Sequence, residues 1–222
     1  MKNKIIVVAP HPDDETLGCG GTLLRFAEQG ASLAWLIVTG MTDHYTQAQR
    51  QARSDTISKI TAAYGFDEVY QLEQPTAELD TIPMNHLVES IGKAFESYQP
   101  DGVLLPHRND VHTDHRVVFD ACAGCSKWFR YPSIKRLMSY ETLSETDFAL
   151  PNGEQTFQPN VFFDINAYLS RKLEIMAMYP DECSDFPFPR SATAITAQAQ
   201  LRGAQSGYQA AEAFMLLRER ND

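Results

Sequence analysis

Positive charge is scarce in this chain. Lys and Arg number 19 against 29 Asp and Glu, a formal net charge of −10 over 222 residues. Such a bias repels phosphate backbones and anionic lipid surfaces, so no nucleic-acid partner and no membrane-surface role is expected. Long apolar runs are missing too. No stretch approaches the ~18 residues that a membrane-crossing helix needs, so no membrane insertion is expected. The opening MKNKIIVVAPHPDD meets charge within a few residues and lacks the apolar length and small-residue cleavage site of a secretion signal. Cysteine is sparse: Cys19, Cys122, Cys125 and Cys183 are too few and too scattered for a disulfide framework. These absences together predict a cytoplasmic protein.

Repeats, low-complexity segments and linkers are also missing. With 43% hydrophobic and 22% charged residues, the chain is expected to fold as a single domain over residues 1–222. Short continuous apolar runs, KIIVVA (4–9), LAWLIVT (33–39) and GVLLP (102–106), read as strands buried on both faces. EVYQL (68–72) reads as a shorter strand. Between them, residues 16–29, 47–64, 83–98 and 114–128 carry apolar residues at helical spacing, two of them closed by Gly30 and Gly65. This alternation predicts an α/β fold: a Rossmann-like three-layer arrangement with a mostly parallel sheet and right-handed crossovers. Further on, 134–140 and 161–165 read as strands, and 167–178 and 192–202 as helices. Residues 213–217 fit either a strand or a helix.

In such sheets, sites form in loops beyond the carboxyl ends of strands. Two acid- and imidazole-rich stretches fall there: PHPDDE (10–15) after the first strand and PHRNDVHTDH (106–115) after the strand at 102–106. Taken alone, Asp13 or Asp14 could cap the next helix, with Glu15 favoured by the helix dipole. Phosphate binding is rejected. Phosphate-cradling glycines occupy the turn itself, whereas here carboxylates fill it, and Gly18, Gly20 and Gly21 come one helical turn later, where they suit close helix-to-sheet packing. A metal site accounts for more. His11 and Asp14 can supply two ligands from one turn stiffened by Pro12, and a catalytic zinc takes a third from elsewhere plus a water. Three of the six histidines, His107, His112 and His115, lie in the second stretch beside Asp110 and Asp114. A two-metal phosphoesterase would need more bridging carboxylates than one such ligand set.

At these residues the chain resembles the LmbE-like, or PIG-L, zinc-dependent de-N-acetylases. That family opens on an apolar strand followed by A/P-H-P-D-D-E, matched by residues 10–15. It continues with H-x-D-H, matched by His112, Thr113, Asp114 and His115, and ends with R-G and A-E-x-F, matched by Arg202-Gly203 and Ala211-Glu212-Ala213-Phe214. The resemblance implies hydrolysis of an N-acetyl group from an N-acetylglucosamine-type amino sugar or its conjugate. Carried over by motif, His11, Asp14 and His115 bind Zn2+, Asp13 is the general base, His112 stabilises the oxyanion as an imidazolium, and Asp114 orients it. Ligand type alone also admits Fe2+ or Co2+. Several members assemble, so a homo-oligomer is admitted here. Alternatives are a deacylase of a non-sugar N-acyl substrate and a non-catalytic carbohydrate-binding protein retaining the metal site.

The other marked residues carry less. Arg53, in RQARSD, is a substrate-contact candidate or a solvated helix charge. Arg190 and Tyr208 are further candidates for substrate contact. His44 is read as a surface-loop residue that could line the pocket, His107 as a neighbour of the site, His86 as an exposed helix residue. Glu15 is expected to orient site groups or cap the helix, and Cys122-x-x-Cys125 to pack a helix.

Overall fold

The computed structural model describes residues 3–42, 45–150 and 156–221. The chain alternates β1 (Lys4–Ala9), α1 (Asp14–Glu28), β2 (Ser32–Gly40), α2 (Gln47–Tyr64), β3 (Glu68–Pro75), α3 (Met84–Tyr98), β4 (Gly102–Pro106), α4 (Thr113–Gly124) and β5 (Arg136–Tyr140). It then runs through β6 (Val161–Asp164), α5 (Leu169–Met176), α6 (Ala192–Ser206) and β7 (Ala211–Glu219). The sheet order is β3-β2-β1-β4-β5-β7-β6. β1 to β5 pair in parallel, and β7 inserts antiparallel between β5 and β6. The expected mostly parallel three-layer α/β fold is therefore present.

The alternating pleat of the central strands builds two cores. Val7, Trp35 and Leu104 face one way, against Leu17, Ile57, Ile175 and Ile195 of α1, α2, α5 and α6. Ile6, Val8, Leu36 and Leu105 face the other, against Leu87, Ile91 and Val118 of α3 and α4. The chain leaves β1 for one face and β4 for the other, so strand order reverses between these neighbours. A crevice opens at such a switch point, beyond the carboxyl ends of the strands. Both stretches singled out in the sequence lie there.

Several boundaries moved. Helix α1 starts at Asp14, earlier than expected, so Asp14 and Glu15 form its first turn. Helix α4 stops at Gly124, where the Cys125 N–H folds back on the Ala121 and Cys122 carbonyls. Residues 213–217, ambiguous in the sequence, lie within the strand β7, whose first half is buried and whose end is exposed. Among the described residues no helix is long and apolar enough to cross a membrane.

The glycines after the acidic turn bring α1 close to the sheet. A Cβ on Gly18 would lie 2.3 Å from Tyr140 Cδ2 and 3.0 Å from the Glu141 carbonyl oxygen. Tyr140 is fully buried and its hydroxyl donates to the Val8 carbonyl at 2.8 Å, so the ring has no room to give. Gly18→Ala is expected to lower stability by about 1–3 kcal/mol, the usual cost of overpacking a close-packed core; chemical denaturation measures it, and an unchanged midpoint would contradict this packing.

Candidate metal centre and active site

The loop after β1 folds back on itself before α1 begins. Asp13 occupies the N-cap position, yet its side chain makes no capping hydrogen bond. Its φ of 145° lies in a region that non-glycine residues rarely adopt, a strain on the order of 1–3 kcal/mol that persists only where surroundings enforce it. They do so here. The Asp13 N–H donates to Glu15 Oε2 at 3.0 Å, and the Asp13 carbonyl accepts from the N–H groups of Thr16 at 3.0 Å and Leu17 at 2.8 Å. Glu15 is fully buried and takes two more donors, the hydroxyls of Thr16 at 2.5 Å and Tyr179 at 2.6 Å. Burial outweighs these bonds and pushes its pKa up to about 7.

The strained turn aims two adjacent carboxylates at different partners. Asp14 faces imidazoles: its Oδ2 accepts from the His11 backbone N–H at 2.9 Å, and lies 3.5 Å from His11 Nδ1 and 3.4 Å from His115 Nε2. Burial opposes its charge, but the two imidazoles outweigh burial and hold its pKa far below the usual carboxylate range. Asp13 Oδ2 accepts from Arg190 Nη1 at 2.7 Å. Burial and the neighbouring Asp14 charge nonetheless push the Asp13 pKa well up, with Arg190 opposing.

His115 is fixed from behind. Its Nδ1 meets Asp110 Oδ2 at 2.7 Å, and Asp110 Oδ1 accepts from the Thr146 hydroxyl at 2.6 Å. That pairing assigns the Nδ1 proton to the Asp110 side and leaves Nε2 facing Asp14. Nε2 is buried and has no hydrogen-bond partner, which in a close-packed interior calls for an explanation. His11, Asp14 and His115 offer ligand atoms within 4.8 Å of one another, the donor set of a borderline-soft dication, with a carboxylate behind the buried imidazole as metal-bound histidines usually have. These residues fit a metal ion. Burial disfavours charged imidazoles, yet nearby carboxylates outweigh it: Asp114 and Asp14 hold His11 up at about 9, and Asp14 and Asp110 hold His115 well above its ordinary value. The pocket concentrates negative charge that either bound protons or a divalent cation can neutralise.

A second group, His11, His112 and Asp114, also meets the spacing for an ion. Here the geometry departs from expectation. His112 caps α4, with Nδ1 accepting the Asp114 N–H at 3.1 Å. An accepting Nδ1 makes the ring neutral with its proton on Nε2, and burial and the His11 charge lower its pKa. The Asp114 carboxylate stands 3.9 Å from His112 Nδ1. It bonds instead with His11 Nε2 at 3.0 Å and the Ala77 N–H at 2.8 Å. So Asp114 orients His112 through its backbone, and its side chain orients His11.

Arg190 is the main residue that the sequence left unplaced. Its guanidinium binds Asp13, Glu182 at 2.6 Å, Glu145 at 3.2 Å and the Ser144 hydroxyl at 2.8 Å. Sequence supplied no signal for this, because the four partners come from three separate segments. Arg53 lines a cavity of about 300 Å³ together with Pro12, the residue between His11 and Asp13. Tyr208 follows α6 at the end opposite Arg190; 15 helical residues separate them by roughly 22 Å, so it is not at this site. His107 is buried and packs edge-on to Phe157, and His86 is exposed on α3. His44 lies outside the described residues. Cys122 is buried in the core and Cys125 donates its thiol to the Val88 carbonyl, so the pair packs α4 as expected.

The late motif residues are structural. Arg202 pairs with Glu141 through Nε at 2.7 Å and Nη2 at 2.5 Å. Glu212 accepts from Lys172 at 2.7 Å and from the Gly21 and Thr22 N–H groups, which ties β7 to α1. Phe214 is fully buried.

A mostly parallel α/β sheet with a candidate metal centre at its switch point is the class that fold and site define. Residues 6–125 match the PIG-L family, described as GlcNAc-PI de-N-acetylase, and the chain belongs to that family of LmbE-like deacetylases. Diacetylchitobiose deacetylase of Thermococcus kodakarensis is 24% identical over 83% of this chain and 70% of its own length. A Bacillus anthracis protein named probable N-acetyl-alpha-D-glucosaminyl L-malate deacetylase 2 is 24% identical over 82% of this chain and 83% of its own length. Among solved structures, the conserved protein TT1542 of Thermus thermophilus superposes with a TM-score of 0.78 at 23% identity, over 100% of this chain and 97% of that one. The 4-carboxy-2-hydroxymuconate hydratase GalB of Pseudomonas putida shares the fold at a TM-score of 0.74 and 17% identity, over 100% and 98%. The fold alone therefore does not fix the reaction, and the site must carry that argument.

Asp110 is the cleanest lever on the centre, since it touches His115 from the side away from Asp14. Asp110→Asn is expected to weaken zinc binding about 10- to 100-fold, read by competition with a chromophoric chelator. Undiminished affinity would contradict the assignment of His115 as a ligand.

Proposed function

We propose that this protein hydrolyses the N-acetyl group of an N-acetylglucosamine-type amino sugar or its conjugate, with a zinc ion held by His11, Asp14 and His115. The observation that carries the reading is the buried, unpartnered Nε2 of His115. It faces Asp14 and is backed by Asp110, and Asp13, next to Asp14 in the chain, turns its carboxylate to Arg190 instead. When bound, zinc supplies Lewis acidity that polarises an amide carbonyl and makes water a better acid near neutral pH.

The chain's own residues supply the proton traffic. Asp13 is the general base: it takes the proton of the attacking water on Oδ1 or Oδ2 and returns it to the leaving amine. Its raised proton affinity suits that exchange, because a base with an ordinary carboxylate pKa holds a proton poorly at neutral pH. Arg190 fixes the carboxylate's rotamer and keeps its affinity from rising further. His112 donates from Nε2 to the oxygen that gains charge as the amide becomes tetrahedral. A neutral imidazole locked by its Nδ1 bond is a preorganised donor. Glu15 keeps the Asp13 backbone in its strained conformation, so the two carboxylates diverge.

Acetate release from zinc-loaded protein tests the proposal, with free N-acetylglucosamine, N-acetylated oligosaccharides, sugar conjugates and N-acetyl amino acids as the panel. Release is expected from a sugar substrate, and Asp13→Asn is expected to lower kcat about 10²- to 10⁴-fold while zinc stoichiometry holds. Release only from amino-acid amides would move the substrate class. A variant as fast as wild type would remove Asp13 from the reaction.

A further inference from the structure

The segment between α5 and α6 reaches the acidic turn twice. Near its end, Arg190 holds the Asp13 carboxylate. Near its start, Tyr179 donates its hydroxyl to Glu15 Oε1 at 2.6 Å, and Glu15 Oε2 in turn accepts the Asp13 N–H at 3.0 Å. One segment therefore holds both the side chain and, through Glu15, the backbone of the same aspartate.

Glu15 can restrain that backbone only while its own carboxylate is fixed. Its Oε1 takes the hydroxyls of Thr16 at 2.5 Å and Tyr179 at 2.6 Å, the lengths of O–H···O⁻ bonds, which are roughly twice as strong as neutral ones. The two donors differ in what they enforce. Thr16 is the next residue in the same helical turn and moves with Glu15. Tyr179 arrives from across the fold, and its ring is packed in the core between the sheet and α1, α2, α5 and α6. Its hydroxyl therefore pins the carboxylate to the rest of the molecule. Tyr64, at the end of α2, reaches only Thr16, at 3.0 Å, one bond short of the carboxylate. The strain at Asp13 and a hydrogen bond to a buried carboxylate are of the same order. Losing one such hydroxyl is enough to shift the turn toward an ordinary helix start, in which Asp13 caps α1 instead of facing Arg190.

We infer that Tyr179 is a positioning residue for the base: its hydroxyl, acting through Glu15, holds Asp13 in the strained conformation that aims its carboxylate at Arg190. The inference rests on the deacetylase reading, in which Asp13 is the base, and extends it to a residue outside every motif singled out in the sequence. The Tyr179 ring also lines the cavity beside Arg53, so a direct contact with substrate is the rival role that the test must separate.

Tyr179→Phe keeps the buried ring and removes only the hydroxyl. Zinc-loaded full-length protein is compared as wild type, Tyr179→Phe, Tyr64→Phe, Glu15→Gln and the variant carrying both Tyr179→Phe and Glu15→Gln. Tyr179→Phe is expected to lower kcat for acetate release from N-acetylglucosamine or its oligosaccharides about tenfold, the worth of one such bond, with KM and zinc affinity unchanged. Its Asp13 amide proton, held downfield in NMR spectra while it donates to the carboxylate, is expected to move upfield. Tyr64→Phe, which also removes a buried hydroxyl, is expected to move neither. The double variant is expected to be no slower than Glu15→Gln, because residues that act through one another are not additive. A wild-type kcat in Tyr179→Phe, a change confined to KM, an equal loss in Tyr64→Phe or additive losses in the double variant would overturn the inference and leave the deacetylase reading standing. If the wild type releases no acetate, the deacetylase reading fails, and the Asp13 amide still decides whether Tyr179 holds the turn: an upfield shift in Tyr179→Phe but not in Tyr64→Phe supports it, and an unmoved resonance overturns it.

Discussion

The structure depends on burying three consecutive carboxylates in one turn. Asp13, Asp14 and Glu15 are each at most 3% exposed, at a position where isolated charges would be prohibitive. Each is made tolerable by a different neighbour: two imidazoles for Asp14, a guanidinium for Asp13, hydroxyls and a backbone N–H for Glu15. Beyond the turn itself, which supplies His11 and Thr16, those neighbours come from the first turn of α4, with His115, and from the long connection between α5 and α6, with Tyr179 and Arg190. Satisfying the turn thus organises both, and the site is assembled as a by-product of electrostatic necessity. The φ of Asp13 is the local cost, offset by the bonds that Glu15 and the first turn of α1 provide.

The same turn explains why the metal centre and the proposed base are neighbours yet separate. A helix start with ordinary φ would send Asp13 into a capping role. The strained start turns it out to Arg190, while Asp14 enters the helix facing His11 and His115. Gly18, Gly20 and Gly21 then let α1 lie against Tyr140, Tyr64 and Ile165, which seats the turn at the sheet edge.

Much of this was legible in the sequence, for physical reasons. β1 and β4 were read to the residue because each holds a continuous apolar run, IIVVA behind Lys4 and GVLLP between Asp101 and His107, the mark of a strand covered on two faces. The meeting of PHPDDE with the stretch that carries His112 and His115 followed from strand-to-helix order, since parallel strands present their carboxyl ends at one edge, while the choice of His115 came from the family resemblance. What stayed hidden depends on distant pairing. Arg190 meets Asp13 across 177 positions, and no local pattern encodes that. The side-chain target of Asp114 was read as His112, the neighbour in sequence, whereas the neighbour in space is His11. The strand at residues 213–217 was ambiguous because a short continuous apolar run, AFMLL, fits a buried strand or a buried helix segment alike; its start at Ala211 was missed because the charge of Glu212 is compensated by Lys172 and two backbone N–H groups from elsewhere in the fold.

Two ligand groups share His11, and the account stands on one of them. His11, Asp14 and His115 are assigned the metal; His112 and Asp114 are assigned to the oxyanion and to His11. Anomalous diffraction at the zinc edge from crystals of the zinc-loaded protein decides between them most directly. The account predicts one strong peak within bonding distance of His11, Asp14 and His115, with the His112 ring beside it but not bonded. A peak bonded to His11, His112 and Asp114 would contradict the assignment of both the centre and the oxyanion donor.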